Sequence, residues 1–118
     1  MDVTRLDDAR PYDAPGHFAM LGLRLQGFEA SPTESFWLGM STFLPGGGAQ
    51  MSATPIEKVY LVLEGEMTVI TDEGETVLRR YDSCRLAPGE ARAIENRTNL
   101  PALMLVVMPY PQEARYGR

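Results

Sequence analysis

The sequence predicts an all-β sandwich or barrel with little helix, on three observations. Short runs of β-branched and aromatic residues recur along it, which favours extended structure. Turns rich in Gly and Pro separate those runs, and no segment keeps a helical apolar period long enough to form a helix. Two runs, 59–63 and 103–108, are apolar at every position, so both faces of those strands need covering.

Taken in order, residues 1–17 read as an arm with two prolines and little regular structure, 18–108 as the barrel, and 109–118 as a tail. A first strand is expected over 18–26. Ser31, Pro32 and Thr33 mark a loop, and a long strand over 35–44 ends where Pro45 meets three glycines. Residues 46–48 are read as a turn needing positive φ, not as a phosphate loop, because no helix opening with Lys-Ser or Lys-Thr follows. The clearest hairpin joins 67–71 to 76–78 through Asp72, Glu73 and Gly74. Two short strands flank the turn at Ala87-Pro88-Gly89, and one helical turn is expected near Glu113 in the tail.

With 118 residues, 44% of them hydrophobic, the chain makes one domain with a real core. A net charge of −5 and a pI near 4.8 argue against nucleic acid or an anionic membrane as partner. No apolar run approaches the ~20 residues that span a bilayer. The polar start lacks the apolar core of a signal peptide, and the single Cys84 excludes an internal disulfide and fits a reducing compartment. A cytoplasmic protein is expected.

Singletons narrow the chemistry further. Ten arginines accompany one lysine, Lys58, with one histidine, His17, and one tryptophan, Trp37. A histidine-rich metal site is therefore impossible within one chain. His17 is either a surface or core-edge residue or, with an unperturbed pKa near ~6.5, a proton carrier at a barrel mouth. Trp37 is either core or a platform for a ligand.

The stretch GGGAQMSATPIEKVYLVLEG, from Gly46 to Gly65, resembles the first motif of the cupin family. That motif places His-x-His five residues after a glycine, then a glutamate, then a second glycine; here Gly46 and Gly65 hold the glycine positions. Ser52, Thr54 and Lys58 stand where the metal ligands belong. A second motif is matched at Gly89 and Asn96, with its proline shifted by one to Pro88. Its first glycine is Tyr81 and its histidine is Arg92. The resemblance covers roughly residues 36–108 and implies a jelly-roll β-barrel, a homodimer, and convergence of positions 52, 54, 58 and 92 inside the barrel.

Those four residues suit no divalent cation, so no metal and no other cofactor is expected. If they converge, they make a cationic pocket with two hydroxyls, and buried cations demand partners. The partner is either an internal acid (Glu57, Glu66, Glu90 or Glu95) or a small anionic molecule. The first expectation is thus a metal-independent enzyme on a small carboxylate or oxo acid, of lyase, decarboxylase or isomerase type. Lys58 would be acid/base or amine nucleophile and Arg92 a carboxylate clamp. Ser52, Thr54, Tyr60, His17 and Trp37 would bind substrate. The alternatives are a non-catalytic module that binds a small anion, and a ligand-free homodimer whose Lys58 and Arg92 lie at the rim or are neutralised by the glutamates.

Overall fold

A computed structural model describes residues 1–110 of the chain. Those residues are almost all β, with one short 3-10 turn at Leu6–Asp8. Nine strands follow in order: β1 Arg10–Tyr12, β2 His17–Gln26, β3 Phe36–Ser52, β4 Lys58–Glu64, β5 Met67–Thr71, β6 Gly74–Leu78, β7 Ser83–Leu86, β8 Arg92–Glu95 and β9 Ala102–Pro109. The pairing order is β6-β5-β8-β3-β9-β4-β7, with β2 on β3 and β1 on β2, all of it antiparallel. The outcome is a nearly closed barrel of the jelly-roll kind.

The barrel closes because β3 belongs to both halves of it. Its first half, Phe36 to Phe43, pairs with β9, and its second, from Gly48 on, pairs with β8. The strand expected to stop at Leu44 therefore runs on to Ser52. The glycines bend it rather than end it. Gly46 takes φ +83°, and a Cβ on Gly48 would lie 2.0 Å from the Ile94 carbonyl oxygen. Only glycine lets the two backbones approach so closely.

Asn96 pins this corner from inside. Its Nδ2 donates to the Phe43 and Leu100 carbonyls at 3.1 and 2.8 Å, and its Oδ1 accepts from the Thr98 amide and hydroxyl. The motif asparagine is thus a structural residue, fully buried and fully bonded. The motif glycines 46, 65 and 89 all have positive φ. Tyr81, at the fourth glycine position, also does, at +70°.

One further expectation changes. The arm is ordered in part: β1 pairs with β2, with Arg10 opposite Arg24 and Tyr12 opposite Gly22. The outer face of β4 and β9, which needs a second sheet or a second subunit to cover it, is partly open among the described residues, with Val59 and Val107 39% and 36% exposed. The helical turn expected near Glu113 lies outside the described residues.

Side chains alternate along each strand, and the inward set divides the barrel lengthwise. Phe43, Val62, Met67, Leu78 and Ile94 fill one end with apolar packing. Two residues further along β4 and β8, at the other end, the inward residues are Tyr60, then Lys58, and Arg92.

Candidate functional site

Lys58 and Arg92 are 4% and 5% exposed, so neither is a rim residue. They border a cavity of about 490 Å³ at the open end of the barrel, a size usual for small-molecule sites. The structure brings all the residues singled out from the sequence to its lining: Ser52, Thr54, Lys58, Tyr60, Arg92, His17 and Trp37.

Arg92 is tightly held. Its Nε donates to the Tyr60 hydroxyl at 2.7 Å, and its Nη1 donates to the Gln50 carbonyl and the Ser52 hydroxyl, both at 3.1 Å. Only Nη2 is left for a ligand, so a clamp of two parallel hydrogen bonds along the Nε edge is not available. Arg92 contributes its charge and one donor nitrogen from a fixed position.

The Lys58 ammonium has no hydrogen bond or ion pair to any described residue. Burial, and then the neighbouring Arg92 charge, pull its ammonium down to about pKa 8. The glutamates that could have neutralised the two cations are committed elsewhere. Glu57 pairs with Arg85, Glu66 with Arg79 at 3.3 Å and Glu95 with Arg97 at 2.6 Å. Glu90 accepts from the Ala87 amide at 3.0 Å. Internal neutralisation by these acids is therefore not how the cations are held.

His17 opens β2 and faces the same cavity. Its Nδ1 lies 3.0 Å from the Pro15 carbonyl oxygen, which places the proton on Nδ1 and leaves Nε2 as an acceptor. Burial lowers its pKa below the ordinary value, with a smaller contribution from the Arg92 and Lys58 charges. At pH 7 it is a neutral base beside a lysine that is mostly a protonated acid.

On the opposite wall sequence reasoning named Trp37 and missed the rest. Tyr12, Phe28 and Trp37 surround the Arg24 guanidinium, which sits 4.2, 4.1 and 4.9 Å from their ring centroids. The Tyr12 ring also meets Trp37 edge-on at 5.5 Å. Tyr12 belongs to the arm, and Gly22 and Gly39 make room for its side chain, since a Cβ on Gly22 would meet the ring at 3.0 Å and one on Gly39 the hydroxyl at 2.7 Å. Ser41 could have been found from alternation, standing two residues from Phe43 and four from Trp37 on the inward face. Nothing local marks Tyr12 or Arg24.

The donor set does not fit a metal. Cupin ligand positions carry two hydroxyls and two cations, and the described residues contain no group of three His, Cys, Asp or Glu able to hold one.

A family model described as Cupin domain matches residues 39–108. The chain belongs to the cupin family. Within it, the chain is 49% identical over 111 residues to the β-D-galactosidase Rv1717 of Mycobacterium tuberculosis, covering 94% of this chain and 96% of that protein. Among solved structures it resembles the polyketide cyclase RemF of Streptomyces resistomycificus, with TM-score 0.82, 19% identity, and coverage of 98% and 90%. It also resembles a cupin-superfamily sugar phosphate isomerase of Silicibacter pomeroyi, with TM-score 0.76, 23% identity, and coverage of 91% and 74%. At those identities the two structures speak for the fold alone. No helix among the described residues is long and apolar enough to cross a membrane.

Proposed function

We propose that this cupin is a metal-independent enzyme that binds a small oxyanion-bearing substrate in the barrel and works by proton transfer. One observation carries the reading: two buried cations, Lys58 and Arg92, line one cavity and no carboxylate among the described residues pairs with either. A buried charge without a partner is costly, and a carboxylate on the ligand relieves that cost. In this reading the ligand's carboxylate meets Arg92 Nη2 and the Ser52 and Thr54 hydroxyls. Lys58, whose pKa of about 8 gives it a useful free-amine fraction near neutrality, moves a proton at the adjacent carbon. The reaction class is lyase, decarboxylase or isomerase. An amine nucleophile reading of Lys58 is tested by borohydride trapping.

A second reading is favoured by the relative named a β-D-galactosidase. Hydrolysis by a pair of carboxylates finds little support here, because the cavity lining offers one acid, the exposed Asp13. A galactoside would instead receive its proton from the Lys58 ammonium, with His17 Nε2 activating water. At pH 7 Lys58 is mostly protonated and His17 neutral, the states that a general acid and a general base need.

The homodimer belongs to the same proposal. A second copy covers the open apolar face of β2, β3, β9 and β4, where Leu23, Met40, Leu105 and Leu61 lie in one register row.

The two chemistries separate in one set of assays. Turnover of an oxo-acid and hydroxy-acid panel, with a rate rising through pH 8, supports Lys58 as base. Release of nitrophenol from an aryl β-D-galactoside, with a rate falling above pH 8, supports Lys58 as acid. Full activity of Lys58→Met in either assay contradicts both.

A further inference from the structure

Among the described residues, two buried side-chain polar atoms lack any hydrogen-bond partner: Thr54 Oγ1 and Arg24 Nε. Both residues line the main cavity. Native proteins leave few such atoms unmet, and two in one cavity point to groups that a ligand supplies. They belong to different walls. Arg24 stands opposite Gly39, Gly39 opposite Val106 and Val106 opposite Tyr60, in one row across β2, β3, β9 and β4. Three strand spacings of about 4.8 Å set the Arg24 and Tyr60 backbones roughly 14 Å apart along the sheet.

Arg24 is a third cation on this cavity, with a side chain 12% exposed. Three aromatic rings stabilise its charge without meeting its N–H groups. Glu29 reaches it only at 3.8 Å and is itself 40% exposed, so that pairing is weak. Arg24 also forms the partition to a smaller hollow of about 250 Å³ under the N-terminal segment.

We propose that Arg24 is a second anchor, binding an oxyanion at the far end of the ligand from Lys58 and Arg92. The preferred ligand class is then a dicarboxylate, one carboxylate held at each wall. The inference rests on the oxyanion reading of the cavity and deepens it. It makes Arg24 a specificity-determining residue, since chain length between the two charged ends selects the ligand.

Trp37, the single tryptophan, reports on this end of the cavity because its ring lies 4.9 Å from the Arg24 guanidinium. Binding heat, which reports on either end, is followed together with the Trp37 emission while wild type, Arg24→Met and Lys58→Met are titrated with acetate and with malonate, succinate, glutarate and adipate. One diacid should bind wild type about tenfold more tightly than acetate, a difference near 1.4 kcal/mol. Arg24→Met should keep its acetate affinity and lose that preference, while Lys58→Met should lose both. Equal affinity of wild type for acetate and every diacid overturns the anchor and leaves the oxyanion site standing. Persistence of the preference in Arg24→Met does the same. Failure of wild type to bind any of them overturns both. The wild-type comparison decides the matter even where a variant folds poorly.

Discussion

Lys58 carries a charge in a place from which water is largely removed, beside a second cation and without an acid. Folding therefore lowers its pKa from 10.5 to about 8, and the sign of the linkage follows. Between about pH 8 and 10.5 the unfolded chain holds the lysine proton and the folded chain does not. Stability contributed through this residue thus rises with pH across that window. Below pH 8 the full penalty is present. Lys58→Met should be more stable than wild type at pH 7 by roughly 1 kcal/mol, since water in the open cavity screens part of the charge, and the gap should close by pH 10.5. Urea unfolding of both proteins at several pH values checks this, and the raised tyrosines Tyr12 and Tyr60 cancel in the difference. A pH-independent gap would mean that Lys58 is hydrated. Sequence alone left Lys58 and Arg92 divided between the rim and the pocket, because a strand that begins Glu57-Lys58 fits either. Burial and the partners of the four glutamates decide it, and neither is a local property. Arg92 shows the same limit from the other side. Its residue type suggested a clamp, but three of its donor hydrogens are used by Tyr60, Gln50 and Ser52.

At the scale of elements, the hairpin of β5 and β6 was legible because its signal is local: alternating β-branched residues around a glycine turn. The long β3 was legible only in its first half. Pro45 and three glycines normally end a strand, and here they turn a corner, because β8 lies within reach of Gly48 and Asn96 fixes the crossing. Gly48→Ala should then lose roughly 3 kcal/mol or more, since the new Cβ meets backbone that cannot give way. Gly46→Ala meets no atom and loses less, limited to the strain of its positive φ. Thermal denaturation of the pair checks the order. Equal losses would show that φ, not the close approach, is what glycine supplies at this corner. The arm was misread for a related reason. The pairing of Arg10 to Tyr12 with β2 depends on Gly22 and Gly39, distant in sequence, so the aromatic wall around Arg24 had no local signature.

For the whole molecule, 59–63 and 103–108 read as strands with both faces covered; their inner sides are, and their outer sides are partly open among the described residues. The dimer proposal predicts that the protein sediments at twice 13.1 kDa and that Leu105→Asp sediments as a monomer. A monomeric wild type would contradict the dimer. The family frame was legible from four anchors, Gly46, Gly65, Gly89 and Asn96, because those residues do geometric work that no other type does as well. The chemistry was less legible, because the motif names positions and not what their side chains meet.

Ligand-dependent thermal unfolding decides whether the Lys58–Arg92 cavity takes an oxyanion. Wild type and Lys58→Met are unfolded in the presence of small carboxylates, with divalent metals and chloride salts as controls. A carboxylate at about 100 times its dissociation constant should stabilise wild type by about 2.7 kcal/mol, a shift of several degrees, and leave Lys58→Met unmoved. An equal shift in both proteins, or a shift given only by a metal, would rule out an oxyanion site that depends on Lys58.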